Sequence, residues 1–234
     1  MLPGPTVVLK CLNCATLVRE LTTASGNTFG AIFYTDGYRD APMLPTPMYL
    51  VRCPGCDGVN RLKDLERVDT YRLFSNFLTD AKTDGEVRQA KKANSAKQKK
   101  YEGLPHCESA SELDYFDFAR SQAYDIEEEV YLRITGWRIG NHSRRKKEIP
   151  LAFNKLEEEN LRRLLQLVEG KKNFPQVLVV EMYRELGQFV DAKALLSKLS
   201  EPSSEISDFE RENLPFYEAL IKNCDVRVQR LPTE

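Results

Sequence analysis

The chain has 234 residues, room for one large domain or two small ones. Hydrophobic residues make up 41% and charged residues 29%, with 12 Gly and 12 Pro, which excludes collagen-like, wholly disordered and disulfide-dense classes. The 34 Lys and Arg nearly balance 35 Asp and Glu, so global charge supplies no attraction to nucleic acid, an anionic membrane or an acidic substrate, and any electrostatic partner has to be met locally.

The opening residues, Met1 to Lys10, show no basic segment followed by an apolar run, and no apolar stretch reaches the roughly 18–20 residues of a membrane span. The expectation is a cytoplasmic protein with no membrane partner. Composition shifts near Asp69 and Ser111 divide the chain into residues 1–70, a small β module; 71–110, a basic connector; and 111–234, a helical domain. The fold class expected is α+β, a small N-terminal β module followed by antiparallel helices.

In the first segment, Val7-Val-Leu9 is a candidate strand leading into Cys11-Leu-Asn-Cys14. Thr28 to Tyr34 has strand-favouring residues, and Thr35-Asp36-Gly37 signals a hairpin turn. Pro42, Pro45 and Pro47 forbid helix and lead into Met48 to Arg52 as a second strand, followed by Cys53-Pro-Gly-Cys56. Asn27, Thr28, Tyr34, Asp36 and Arg39 form a polar set between the two cysteine pairs. They read as a recognition surface or as turn chemistry, since Asn27 and Asp36 adjoin glycines.

Six cysteines are present, four of them in the two identically spaced pairs; Cys107 and Cys224 stand alone. In a reducing compartment such pairs read as metal ligands before disulfides. A thioredoxin-like dithiol wants one pair opening a helix in a βαβ pattern, which is absent here. Cys11, Cys14, Cys53 and Cys56 are the predicted ligands of one structural Zn2+, held in a tetrahedral thiolate shell with no open position for water or substrate. These residues resemble the zinc-ribbon family, in which two knuckles on β-hairpins grip one ion. The stretch from Ala15 to Arg52 is about twice the usual spacing of roughly 15–20 residues, which implies an insert. His106 and His142 lack partners at ligand spacing, so no second metal centre is expected.

Residues 71–110 open on an apolar patch, Tyr71, Leu73, Phe74, Phe77 and Leu78, and turn lysine-rich, with too few apolar residues from Lys82 to Lys100 to offset ordering entropy; an exposed helical connector is expected. Beyond Ser111, which with Asp114 resembles a capping box, apolar residues recur at helical spacing. Ile126, Val130, Ile134 and Trp137 share one face, as do Leu156, Leu161, Leu164, Leu165 and Val168 before Gly170. Helices follow over Phe174 to Leu186, Phe189 to Leu199 and Ser207 to Asn223.

Tyr183, Leu186, Gly187, Phe189, Ala192, Leu196 and Leu199 resemble one tetratricopeptide-type unit, Gly187 allowing the turn and Ala192 close helix approach. The resemblance implies a helical groove for a protein partner, beside a plain helical bundle as the bland alternative.

Two basic clusters, Lys91, Lys92, Lys97, Lys99 and Lys100, then Arg138, Arg144, Arg145, Lys146 and Lys147, flank an acidic stretch from Glu108 to Glu129. Either cluster meets phosphates by charge, or the opposite signs satisfy each other within the fold or between subunits, but the favoured reading is that these runs are solvated faces. No catalytic triad order, phosphate loop or dinucleotide signature occurs. The reading is a non-enzymatic zinc-binding adaptor that binds a protein through its helices; the alternative is a nucleic-acid-binding regulatory protein using the Lys and Arg clusters. Oligomeric state has no signal in the sequence.

Overall fold

The computed structural model describes residues 1–73, 83–146, 152–171 and 173–232. The chain forms two compact units with an unexpected division: Met1–Gly30 with Ala41–Ala110, and Ala31–Asp40 with Ser111–Glu234. The class is α+β, antiparallel strands first and helices after. No helix among the described residues is long and apolar enough to cross a membrane.

In the first unit, β1 (Leu2–Lys10) is the centre of a sheet ordered β2-β1-β7, with β2 at Leu17–Ser25 and β7 at Glu66–Tyr71, all neighbours antiparallel. Strand side chains alternate between faces, so Val7 and Leu9 enter one core with Cys11, Val18, Val51, Cys53 and Leu65, while Val8 packs on the other face with Tyr71 and Tyr101. A second sheet has order β6-β5-β8, with β5 at Leu50–Arg52, β6 at Val59–Arg61 and β8 at Glu108–Ser109. The predicted strand at Met48–Arg52 is thus β5, shortened by two residues.

The lysine-rich stretch is a helix, α1 (Asp84–Tyr101), closed at its start by a Thr83–Glu86 capping box. It belongs to the first unit. Asn94 accepts from the Arg72 amide at 2.7 Å and donates to the Arg72 carbonyl at 2.7 Å, completing backbone pairing beyond the end of β7. Lys97 Nζ pairs with Asp69 at 2.5 Å, and the Tyr101 ring stacks on Tyr71. Polar contacts at helical spacing therefore hold a segment that apolar patterning alone leaves without an anchor. Phe74, Phe77, Leu78 and Lys82 lie outside the described residues.

The second unit carries α2 (Glu112–Ser121), α3 (Ile126–Arg145), α4 (Lys155–Val168), α5 (Gln176–Glu185), α6 (Phe189–Leu199) and α7 (Asp208–Lys222), each in contact with the next. Ser111, Asp125, Asn154 and Ser207 cap helix N-termini as their residue types favour. Gly187 takes a left-handed φ of 72° between α5 and α6, and Ala192 is fully buried. One core joins Trp137, Leu161, Leu164, Leu165 and Val168 to Val179 and Met182, with Val130 and Ile134 packed against it; another joins Val180, Leu196, Leu214 and Tyr217. Ile126 and Leu156 depart from the predicted faces and are exposed, because each sits in the first turn of its helix.

The predicted strand Thr28–Tyr34 shrinks to β3, Ile32–Phe33, paired with β4, Arg39–Asp40. Upstream, Gly30 at φ 69° breaks the extended run, and Asn27 Oδ1 accepts from the Phe29 amide at 3.0 Å. The turn at 34–38 forms where expected, closed by Gly37 N to Tyr34 O at 2.9 Å. Gly37 has φ 70°, and a Cβ there would come within 2.7 Å of Arg138 Nη2 and 2.8 Å of Leu178.

Candidate metal centre

Both cysteine pairs sit at hairpin turns, Cys11 and Cys14 between β1 and β2, Cys53 and Cys56 between β5 and β6. The two turns repeat one backbone pattern. Cys11 N donates to Thr16 O at 2.9 Å as Cys53 N donates to Gly58 O at 3.0 Å; Ala15 N donates to Cys11 O at 3.1 Å as Asp57 N donates to Cys53 O at 2.8 Å. The amides of Asn13 and Gly55 point at Cys11 Sγ and Cys53 Sγ, each at 3.4 Å. Ala15 and Asp57 take the left-handed conformation, φ 58° and 56°. In both turns the left-handed residue follows the second cysteine and folds the chain back so that the first cysteine's amide meets the Thr16 or Gly58 carbonyl.

All four Sγ atoms lie within 4.8 Å of one another. The cross pairs are Cys11 with Cys56 at 3.8 Å and Cys14 with Cys53 at 3.7 Å. A tetrahedral zinc with bonds of about 2.3 Å requires sulfur separations of about 3.8 Å. The four predicted ligands are thus brought together in a set that can hold one metal ion, and the donors fit zinc. Among the described residues, no other group of His, Cys, Asp or Glu is placed this way, and neither His106 nor His142 joins this one.

The site's electrostatics call for a cation. Hydrogen bonds from the Thr16 hydroxyl and amide hold the exposed Cys14 thiol down to about 6. Cys56 is pushed up to about 12, since the pull of the Gly58 amide is outweighed by the neighbouring Cys14 sulfur and by burial. Cys53 is raised by burial. One thiolate therefore suppresses the next, and a divalent ion held by Cys11, Cys14, Cys53 and Cys56 would remove that penalty.

Thr16 and the left-handed Ala15 and Asp57 were not singled out by sequence reasoning; their signal is their equivalent place just after the second cysteine of each pair. Cys107 packs against the core containing Cys11 and Cys53, and burial pushes it up to about 11, which suits a structural thiol. His106 is exposed beside Arg19, and burial is the larger cause of its lowered pKa.

The second basic cluster is corrected by the structure. Arg144 forks onto Glu157 through Nη1 to Oε1 at 2.6 Å and Nη2 to Oε2 at 2.8 Å, and Arg145 pairs with Asp36, both pairs buried. Arg138 donates Nε to Asp36 O at 3.1 Å. These guanidinium groups are consumed inside the helical unit; Lys146 remains exposed, and Lys147 lies outside the described residues. From the acidic stretch, Glu129 pairs with Arg133 at 2.9 Å and Arg163 at 3.1 Å.

Within the polar set, Asp36 is fully buried and serves its turn, accepting from the Tyr38 amide at 3.0 Å. Asn27 also serves the backbone, whereas Arg39 and Thr28 are exposed. No family model, curated protein or solved structure matches the chain.

Proposed function

We propose that this protein is a non-enzymatic adaptor in which one structural Zn2+, bound by Cys11, Cys14, Cys53 and Cys56, folds the N-terminal unit while the helices bind a protein partner. The observation that carries the reading is the convergence of four sulfurs within 4.8 Å of one another, with the two cross-pair separations, 3.8 and 3.7 Å, matching the edge of a zinc tetrahedron. Four thiolates fill the coordination shell, so the ion's work is structural, on the order of 10 kcal/mol of folding free energy.

On the helical unit, a groove of about 720 Å³ runs between α6 and α7, floored by Phe189, Leu196 and Ile221 and rimmed by Lys193 and Lys222. Val190 at its edge is 82% exposed, a large apolar side chain suited to a partner's surface. Elemental analysis of the purified chain tests the metal reading, with one zinc per chain expected and none overturning it. Capture of a partner by wild type, lost on Val190→Glu, tests the adaptor reading.

One observation favours the nucleic-acid alternative. Arg88, Lys91, Lys92, Lys99 and Lys100 are exposed on α1, with no acidic residue between Glu86 and Glu102. Binding of a labelled single-stranded oligonucleotide that weakens steeply with salt supports that reading; its absence at 50 mM salt removes it.

A further inference from the structure

Residues 31–40 are part of the helical unit, yet in the chain they lie between the two cysteine pairs. Their hold there is extensive. Thr35 N donates to Gln229 O at 2.9 Å, Gln229 N to Thr35 Oγ1 at 3.0 Å, Tyr217 Oη to Thr35 O at 3.0 Å and Leu231 N to Phe33 O at 2.9 Å. The Arg145 guanidinium, paired with Asp36, also lies over the Tyr34 and Tyr38 rings, 5.2 and 4.1 Å from their centroids. In the first unit the arms leading to this segment run close together: a Cβ on Gly26 would come within 2.0 Å of Met43 O.

We propose that the metal centre is a buckle: ligation of the two cysteine pairs closes the chain loop from Cys14 to Cys53, and that closure governs how firmly Ala31–Asp40 is held in the helical unit.

The inference rests on the zinc reading and adds that the metal is felt in the unit that contains none of its ligands. The physical reason is effective concentration. A segment tethered at both ends to folded chain is presented to its seat with little entropy left to lose, whereas freeing one end lowers its local concentration and raises the cost of docking it. The ion is well placed to set that difference, because it joins hairpins that belong to different sheets. Loss of the ion then weakens the contacts of Thr35 and Asp36, and with them the helical unit, without breaking any bond within the helices.

Two measurements on the full chain decide it. The first is amide hydrogen exchange with and without a zinc chelator, with metal content measured on the same samples. Exchange at Thr35 and Leu231 is expected to quicken at least tenfold on metal removal, while Leu164 and Val180 in α4 and α5 change far less. Trp137 is the only tryptophan, and its Nε1 donates to Glu185 Oε2, which accepts from Asn141, itself donating to Asp36 Oδ2. Its fluorescence-detected melting midpoint should fall by at least about 3 °C. A chain that holds one ion and shows unchanged exchange at Thr35 and Leu231 after losing it overturns the inference while leaving the zinc reading intact.

The second measurement needs no metal. In a Cys11→Ser, Cys56→Ser variant, Cys14 and Cys53 are oxidised to a disulfide with oxidised glutathione, closing the same loop covalently. Slower exchange at Thr35 in the oxidised than in the reduced variant supports the buckle, and equal rates overturn it even if the wild-type chain proves to hold no zinc.

Discussion

The Asp36–Arg145 pair is the most exacting test of how the helical unit is held. Both side chains are almost wholly removed from solvent, 0% and 3% exposed. Asp36→Asn keeps the turn, because the remaining Oδ1 still accepts from the Tyr38 amide, but leaves the guanidinium without its counter-charge. Breaking a buried pair on one side costs about 3–5 kcal/mol. The rings of Tyr34 and Tyr38 still face the cation, so it is not left wholly without a favourable electrostatic environment, which places the expected loss near the lower bound, about 3 kcal/mol. In a unit of this size that corresponds to a fall of about 10 °C in the midpoint of the Trp137-detected transition. Arg145→Met alone strands the carboxylate and should cost a similar amount, whereas the double variant removes both charges and should regain at least half of the loss. A single-variant loss under about 1 kcal/mol, or strict additivity in the cycle, would refute the reasoning that this pair acts as a unit.

Other outcomes follow from the same structure. Replacing any one of Cys11, Cys14, Cys53 or Cys56 by Ser should cut the bound zinc well below one equivalent and melt the N-terminal unit in far-UV dichroism; a variant that keeps full zinc content contradicts the four-ligand shell. Ala15→Gly should raise the melting midpoint of the metal-loaded N-terminal unit, gaining about 0.5–1 kcal/mol as left-handed strain is relieved, and a drop would show that the Ala15 methyl packs usefully. Burial, then the charges of Glu181 and Asp36, raises the Glu185 carboxyl well above the usual range in the folded state. The folded chain therefore binds a proton that the unfolded chain releases near pH 4.3. This contribution is complete below that pH and is lost as pH rises toward the folded value. Denaturant titrations across this window should show stability falling with pH, and Glu185→Gln should flatten the slope; parallel profiles for the two proteins would exclude Glu185 as the source.

The cysteine cluster was legible because its chemistry is local: two identical spacings of a soft ligand, each with turn-forming neighbours, already mark four sulfurs that can share one ion. The helix starts were legible for the same reason, since Ser111, Asp125 and Ser207 act on amides two or three residues away. Long-range charge pairing was not. Arg144 and Arg145 read as part of a solvated basic run, and nothing nearby in sequence says that Glu157 and Asp36 wait for them. The run of apolar residues in α5 likewise hides Glu181 and Arg184, which pair at 2.5 Å with neither exposed, and Arg184 also donates to the carbonyls of Asp225 and Arg227.

The amino-acid order by itself determined which four cysteines cluster, the hairpin turn at residues 34–38, the capped helices and the apolar faces of most of them, all of which follow from backbone preferences and periodicity over a few residues. Only the tertiary structure decided that Ala31–Asp40 belongs with the helices, that α1 is pinned to β7, and that Arg144 and Arg145 of the second basic cluster pair inside the helical unit. Those outcomes depend on partners far apart in sequence, backbone amides and carbonyls as well as opposite charges, that only the folded chain brings within reach.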